Sequence, residues 1–117
     1  MANVISTAGY ENAKVDLTTN NLTTLYSAPS RRSAIIESIL VSEDSGNADT
    51  ITVTLVNSAG SVFSLFKTKA VSANATVELL TKDLILIPGD ILKVQAATAN
   101  RLHVVASLFE IPKITTA

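Results

Sequence analysis

The stretch LILIPGDILKVQA, Leu84 to Ala96, limits what this chain can fold into more than any other. Two short apolar runs flank Pro88-Gly89-Asp90, in which proline presets its backbone angle, glycine accepts conformations other residues avoid, and the aspartate can hydrogen-bond nearby amides. Such a pattern predicts two strands joined by a tight turn, and we expect them to pair as a hairpin. Leu84 and Leu86 then share one face of the first strand. Leu92, Val94 and Ala96 share one face of the second, with Lys93 and Gln95 outward, as in an antiparallel sheet buried on one side.

The rest of the chain repeats this pattern. Thr50 to Val56 alternates cleanly, Ile51, Val53 and Leu55 against Thr50, Thr52 and Thr54. Asn57 to Gly60 turns the chain back, so Val62 to Lys67 is expected beside it as an antiparallel partner, with apolar residues on both of its faces. Leu22 to Tyr26 is a compact β-prone run ended by Ala28, Pro29 and Ser30. Thr76 to Leu80 gives a further strand with Val77 and Leu79 inward, after a small-residue loop or irregular strand at Val71 to Ala75. In Leu102 to Ile111, Leu102, Val104, Ala106 and Leu108 have one parity and His103, Val105, Ser107 and Phe109 the other. Pro112 lacks an amide donor and is expected to end pairing. Ala34 to Val41 is the ambiguous segment: Ile35, Ile36, Ile39 and Leu40 also fall on one helical face, but three isoleucines, a valine and adjacent turns favour a strand. Glu37 within it is expected on a solvent or subunit-contact face.

About eight strands, no convincing helix and no internal repeat predict an all-β fold, an antiparallel β-sandwich of jelly-roll or Greek-key type. A small closed barrel is the competing architecture. The length of 117 residues suits one domain. Residues 1–20 read as an N-terminal arm or edge segment in which Val15 and Leu17 have strand spacing, residues 21–112 as the β-sandwich domain, and residues 113–117 as a C-terminal tail.

Composition bears mainly on function. With no cysteine there is no disulfide, thiolate nucleophile or thiolate-held metal. Charged residues make up 16% of the chain, below the roughly 25% of average domains, and the formal net charge is -1 with no basic stripe to follow a phosphate backbone. No nucleic-acid partner is expected. No apolar run approaches the roughly 20 residues of a membrane span, and the N-terminus lacks the basic and apolar regions of a signal peptide, so no membrane association is expected. A hydrolytic site needs a nucleophile, a base and an orienting group; serines are many, but His103 is the single histidine base, lies inside a predicted strand, and reads as a surface or interface residue. Glu43, Asp44, Asn47 and Asp49 surround Gly46 with oxygen ligands, but not in the order of an EF-hand, so no calcium site is assigned. Asn21-Leu22-Thr23 and Asn74-Ala75-Thr76 match a glycosylation pattern that is frequent by chance. Tyr10, Tyr26, Phe63, Phe66 and Phe109 are too few and scattered for a glycan platform or a base-stacking surface. No catalytic residue, metal ligand or cofactor follows. A structural protein and a freestanding binding module are the readings ahead of an enzyme.

Three stretches carry a resemblance: NLTTLYSAPSRRSAIIESILVS at Asn21 to Ser42, TITVTLVNSAG at Thr50 to Gly60, and LILIPGDILKVQAATANRLHVVASLFEI at Leu84 to Ile111. In these the chain resembles small structural proteins of tailed-bacteriophage virions. The resemblance implies a non-enzymatic virion component assembled in the bacterial cytoplasm: a capsid decoration or cement protein, the base domain of a head fibre, or a tail or neck accessory protein. It implies a homo-oligomer, often a trimer, with no cofactor, attached to the major capsid protein or another virion protein. A host-surface or carbohydrate-binding sandwich is the alternative. Arg31, Arg32, Val4, Ile5 and Tyr10 are the candidate assembly contacts. The two arginines read first as a solvated pair and second as a pair of which one reaches a carboxylate of a neighbouring subunit.

Overall fold

In the computed structural model, which describes residues 8–112, every regular element is a β-strand. There are nine: β1 (Gly9–Asp16), β2 (Thr23–Ser27), β3 (Arg32–Glu43), β4 (Asp49–Val56), β5 (Val62–Val71), β6 (Thr76–Glu78), β7 (Leu84–Leu86), β8 (Ile91–Ala96) and β9 (Leu102–Pro112). They form two antiparallel sheets. Sheet one runs β1-β9-β3, with β6 and β7 both on the far side of β3, and sheet two runs β2-β8-β4-β5. β6 pairs with Leu40 to Ser42 and β7 with Ala34 to Ile36, so the two short strands lie end to end and fill one strand position. Counted by position the fold has eight strands, in the order of a jelly roll.

The core lies between the sheets. Sheet one contributes Leu102, Val104, Ala106 and Leu108 of β9, and sheet two contributes Ile51 and Val53 of β4 with Leu92, Val94 and Ala96 of β8. Each set follows the period of two expected from the sequence.

β3 explains why Ala34 to Val41 looked ambiguous. Ala34 and Ile36 are buried, but the next buried residues are Ile39, Val41 and Glu43, so the inward parity changes along the strand. Pairing with β9 jumps from Ile36↔Leu108 to Ser38↔Ser107, which leaves Glu37 as the extra residue of a β-bulge. Glu37 is exposed there. The bulge breaks the alternation and creates the three- and four-residue spacing that imitates a helix.

One sequence expectation is overturned. Leu84 to Ala96 is not a hairpin: β7 pairs with β3 in sheet one, whereas β8 lies between β2 and β4 in sheet two. The turn therefore carries the chain from one sheet to the other. Asp90 N–H donates to the Ile87 carbonyl at 3.0 Å, and Ile87 N–H donates to the Asp90 side chain at 3.0 Å. The turn is also tied to the chain between β2 and β3, Gly89 N–H donating to the Ala28 carbonyl at 3.2 Å and Ala28 N–H to the Asp90 carbonyl at 2.8 Å. A hairpin would satisfy one edge of β8. The crossing gives it partners on both edges, with Leu86 entering the core from sheet one and Leu92, Val94 and Ala96 from sheet two.

Other boundaries shift. β5 continues past Lys67 to Val71, with register shifts against Ile51 to Thr54 and Thr68 at a φ of 50°. Val71, expected to open a loop, is buried. β9 extends to Pro112, opposite Arg32. Within the segment 1–20, β1 is an edge strand paired with β9, Ala13 and Val15 pack on the core, and Leu17 is buried. Val4, Ile5 and the tail 113–117 lie outside the described residues.

Candidate assembly surface

In sheet one the side chains between the buried positions must point away from the core, and the strand register aligns them in rows. One row crosses the full width of the sheet: Tyr10 opposite Phe109, Phe109 opposite Ile35, and Ile35 opposite Ile85. Tyr10 is 75% exposed and Ile85 55%, and the Tyr10 and Phe109 rings meet edge to face at 4.9 Å. Ile87 and Ile111, also exposed, extend the apolar ridge beyond this row.

The next row, Asn12, Ser107 and Ser38, is small and polar, with the exposed bulge residue Glu37 beside Ser38. Low side chains beside a high ridge leave a trough, and a depression of about 510 Å³ opens at its β1 end, lined by Tyr10, Glu11, Asn12, Ser107 and Leu108. A third row reads Lys14, Val105, Leu40 and Glu78, and a fourth Asp16, His103, Ser42 and Thr76. The outer face of sheet two differs, with Thr50, Thr52 and Thr54 on β4 beside Lys93 and Gln95 on β8. That part of the face is polar, and it turns apolar at one end, where Ile91, Val56 and the exposed Val62 share a row.

Glu78 is fixed at its edge of sheet one. Its carboxylate accepts from the Ser38 hydroxyl, from Ile39 N–H at 2.7 Å and from Leu80 N–H at 3.2 Å. Partial burial works to raise the carboxyl, and these bonds outweigh it, holding Glu78 below the usual carboxylate range.

The candidate contact residues do not converge. Tyr10 stands on the ridge, and Arg31 is exposed at the turn before β3. Arg32 is no free partner: its guanidinium lies 3.3 Å from Glu110 of its own chain, and the Tyr26 hydroxyl donates to the same carboxylate at 2.5 Å. Burial and then the Glu110 acceptor push the Tyr26 phenol up from its ordinary value. The cluster ties β2 of sheet two to β3 and β9 of sheet one.

His103 sits between two aspartates, Nε2 at 3.3 Å from Asp16 and Nδ1 at 3.8 Å from Asp44, on the surface and with no nucleophile in the set. In the acidic loop, Glu43 is only 2% exposed and turns back on the protein. Its carboxylate accepts from the Ser45 hydroxyl, from Ser45 N–H at 2.8 Å, Gly46 N–H at 3.1 Å and Asn74 N–H at 3.0 Å. Those lone pairs are committed to protein donors, and among the described residues no group of three His, Asp or Glu could hold a metal ion.

Ile35, Ile85 and Phe109 are the surface residues that the sequence did not single out. Their signal was present as apolar content on both parities, in Leu84 to Ile87 and in Leu102 to Ile111, which one buried face cannot absorb.

No protein-family model matches the chain, and no curated protein matches it in sequence. Its fold, however, is found in solved structures. A chain of the capsid of Helicobacter pylori bacteriophage KHP30 superposes with a TM-score of 0.54 at 15% identity, covering 96% of this chain and 94% of that one. A chain of the Bacillus endospore appendages, a family of disulfide-linked pili, gives 0.56 at 12% identity over 97% and 96%. A chain of the infectious bursal disease virus T13 particle gives 0.55 at 12% identity, over 88% of this chain but 30% of that one. At these identities the likeness is one of fold. It is the β-sandwich expected from the strand pattern, and the structures that share it include chains of phage and viral capsids.

Proposed function

We propose that the protein is a structural component of a tailed-phage particle, a capsid decoration or cement protein that acts through its surface and performs no chemistry. The observation that carries this reading is the apolar ridge that crosses every strand position of sheet one. Apolar surface of that extent marks a contact with another protein. The likeness of fold to a phage capsid chain, over 94% of that chain, supports a coat component. Its partners in this reading are other copies of itself and the major capsid protein, with Arg31, Val4 and Ile5 as further candidate contacts.

Electron microscopy of intact particles tests the proposal. Density for this fold at regular lattice positions of the head is the expected result. Its confinement to the tail or neck would make the protein an accessory of those parts, and its absence from the particle would refute a virion role.

A further inference from the structure

We propose that the outer face of sheet one is a self-association surface, on which two copies meet face to face about a two-fold axis running along the strands between β9 and β3. Such an axis keeps each row level and reverses the strand order. β1 then faces the position of β6 and β7 in the second copy, and β9 faces β3.

Each row meets a suitable counterpart under that operation. In the ridge row, Tyr10 lies over Ile85 of the second copy and Phe109 over Ile35, so apolar meets apolar across the full width. In the third row, Val105 meets Leu40, and Lys14 meets the fixed carboxylate of Glu78, twice by symmetry. The intervening row of Asn12, Ser107 and Ser38 places small groups beside the axis, and the exposed Glu37 of the bulge, the acidic side chain next to them, comes over Ser107 of the second copy, not over its own counterpart. The face is therefore complementary to itself in apolarity along two rows and in charge at Lys14 and Glu78, and this identifies the occupant as a second copy. Sheets related in this way pack with nearly aligned strands about 10 Å apart, the common geometry of sheet-on-sheet contacts.

The extent is adequate. The exposed parts of the ridge residues with Ile87 and Ile111 amount to on the order of 500 Å² of apolar surface, at the upper end of what a lone monomer displays. With the third row and a polar rim, the face reaches the roughly 800 Å² per partner of a stable interface. A two-fold contact builds even-numbered assemblies, and so replaces the trimer expected from the resemblance.

The test uses the purified full chain and needs no particle, so its result is separate from the question of virion location. Sedimentation equilibrium at micromolar concentration is expected to give a dimer, and Tyr10→Ser or Ile85→Lys is expected to weaken it by at least about tenfold, since a tenfold change is only 1.4 kcal/mol. Both side chains are exposed, so thermal melting of the variants at a monomeric dilution should match that of the parent. Because the chain has no cysteine, single-cysteine variants report the geometry directly. Ser107→Cys, beside the axis, should be joined into a covalent dimer by a short bis-maleimide, and Thr24→Cys on sheet two should not. A parent that is monomeric or trimeric across that range would overturn the proposal, as would a dimer insensitive to both substitutions or one linked equally well through Thr24→Cys. A monomer that binds isolated coat protein through the ridge would assign the face to a different occupant and overturn it equally.

Discussion

Val53 and Thr52 are neighbours in sequence but lie on opposite faces of β4, and their environments set opposite tolerances. Val53 is buried completely, with Leu92, Val94 and Val104 in the same core. Val53→Asp places a carboxylate there without a partner and is expected to cost about 3 to 5 kcal/mol. Thr52 is on the outer face, where its hydroxyl accepts from Thr68 N–H at 3.0 Å, a bond that a carboxylate can also accept. Thr52→Asp should cost less than about 1 kcal/mol by chemical denaturation, and equal losses would mean the face assignment is inverted. Thr54, on the same outer face, has a buried hydroxyl with no hydrogen-bond partner. Thr54→Val removes the desolvated hydroxyl and keeps the shape, so it should stabilise the protein by about 1 kcal/mol, visible as a higher melting temperature.

Two connecting elements hold the sandwich in its topology, and each depends on one residue. The crossing turn requires Gly89 at a φ of 90°, and an added Cβ would lie 2.9 Å from Cβ of Ser58 in the β4–β5 turn. Gly89→Ala combines an unfavourable backbone angle with that overlap and is expected to destabilise the fold by about 2 kcal/mol or more in urea denaturation. The loops after β3 and β5 are joined through Glu43. Burial works to raise its carboxyl, but hydrogen bonds from the Ser45 hydroxyl and the Asn74, Ser45 and Gly46 amides outweigh this and lower it from 4.5 to about 2. As the pH falls from 4.5 towards 2 the unfolded chain takes up its proton first, so this contribution to stability, complete above 4.5, is lost across that interval. Melting temperatures measured through this range should fall for the parent protein. For Glu43→Gln they should start lower and fall less steeply, with Glu78 leaving a residual slope in the same direction.

At the level of the whole molecule, the register joins the ends of the described chain: Gly9 of β1 is opposite Glu110 of β9, and β9 also pairs with β3 along its whole length. Sheet one cannot be completed until the last strand is present, so ordering precedes most of its stabilising contacts. Refolding is expected on the millisecond-to-second scale of non-local β-sandwiches, and stopped-flow tyrosine fluorescence would measure it; microsecond folding would contradict this topology. Most strands, and the inward parity of β4 and β8, were legible in the residues alone, because they depend on a period of two and on residue type. That Leu84 to Ala96 crosses between sheets, that a bulge at Glu37 reverses the parity of β3, and that Tyr10, Phe109, Ile35 and Ile85 form one ridge became visible in the folded chain alone. A local pattern fixes which face of a strand is apolar, but it is the same whichever sheet the strand joins. The choice of neighbours is made by non-local hydrogen bonds and by how the two inner faces fill a common core, and the outer surface follows from that choice.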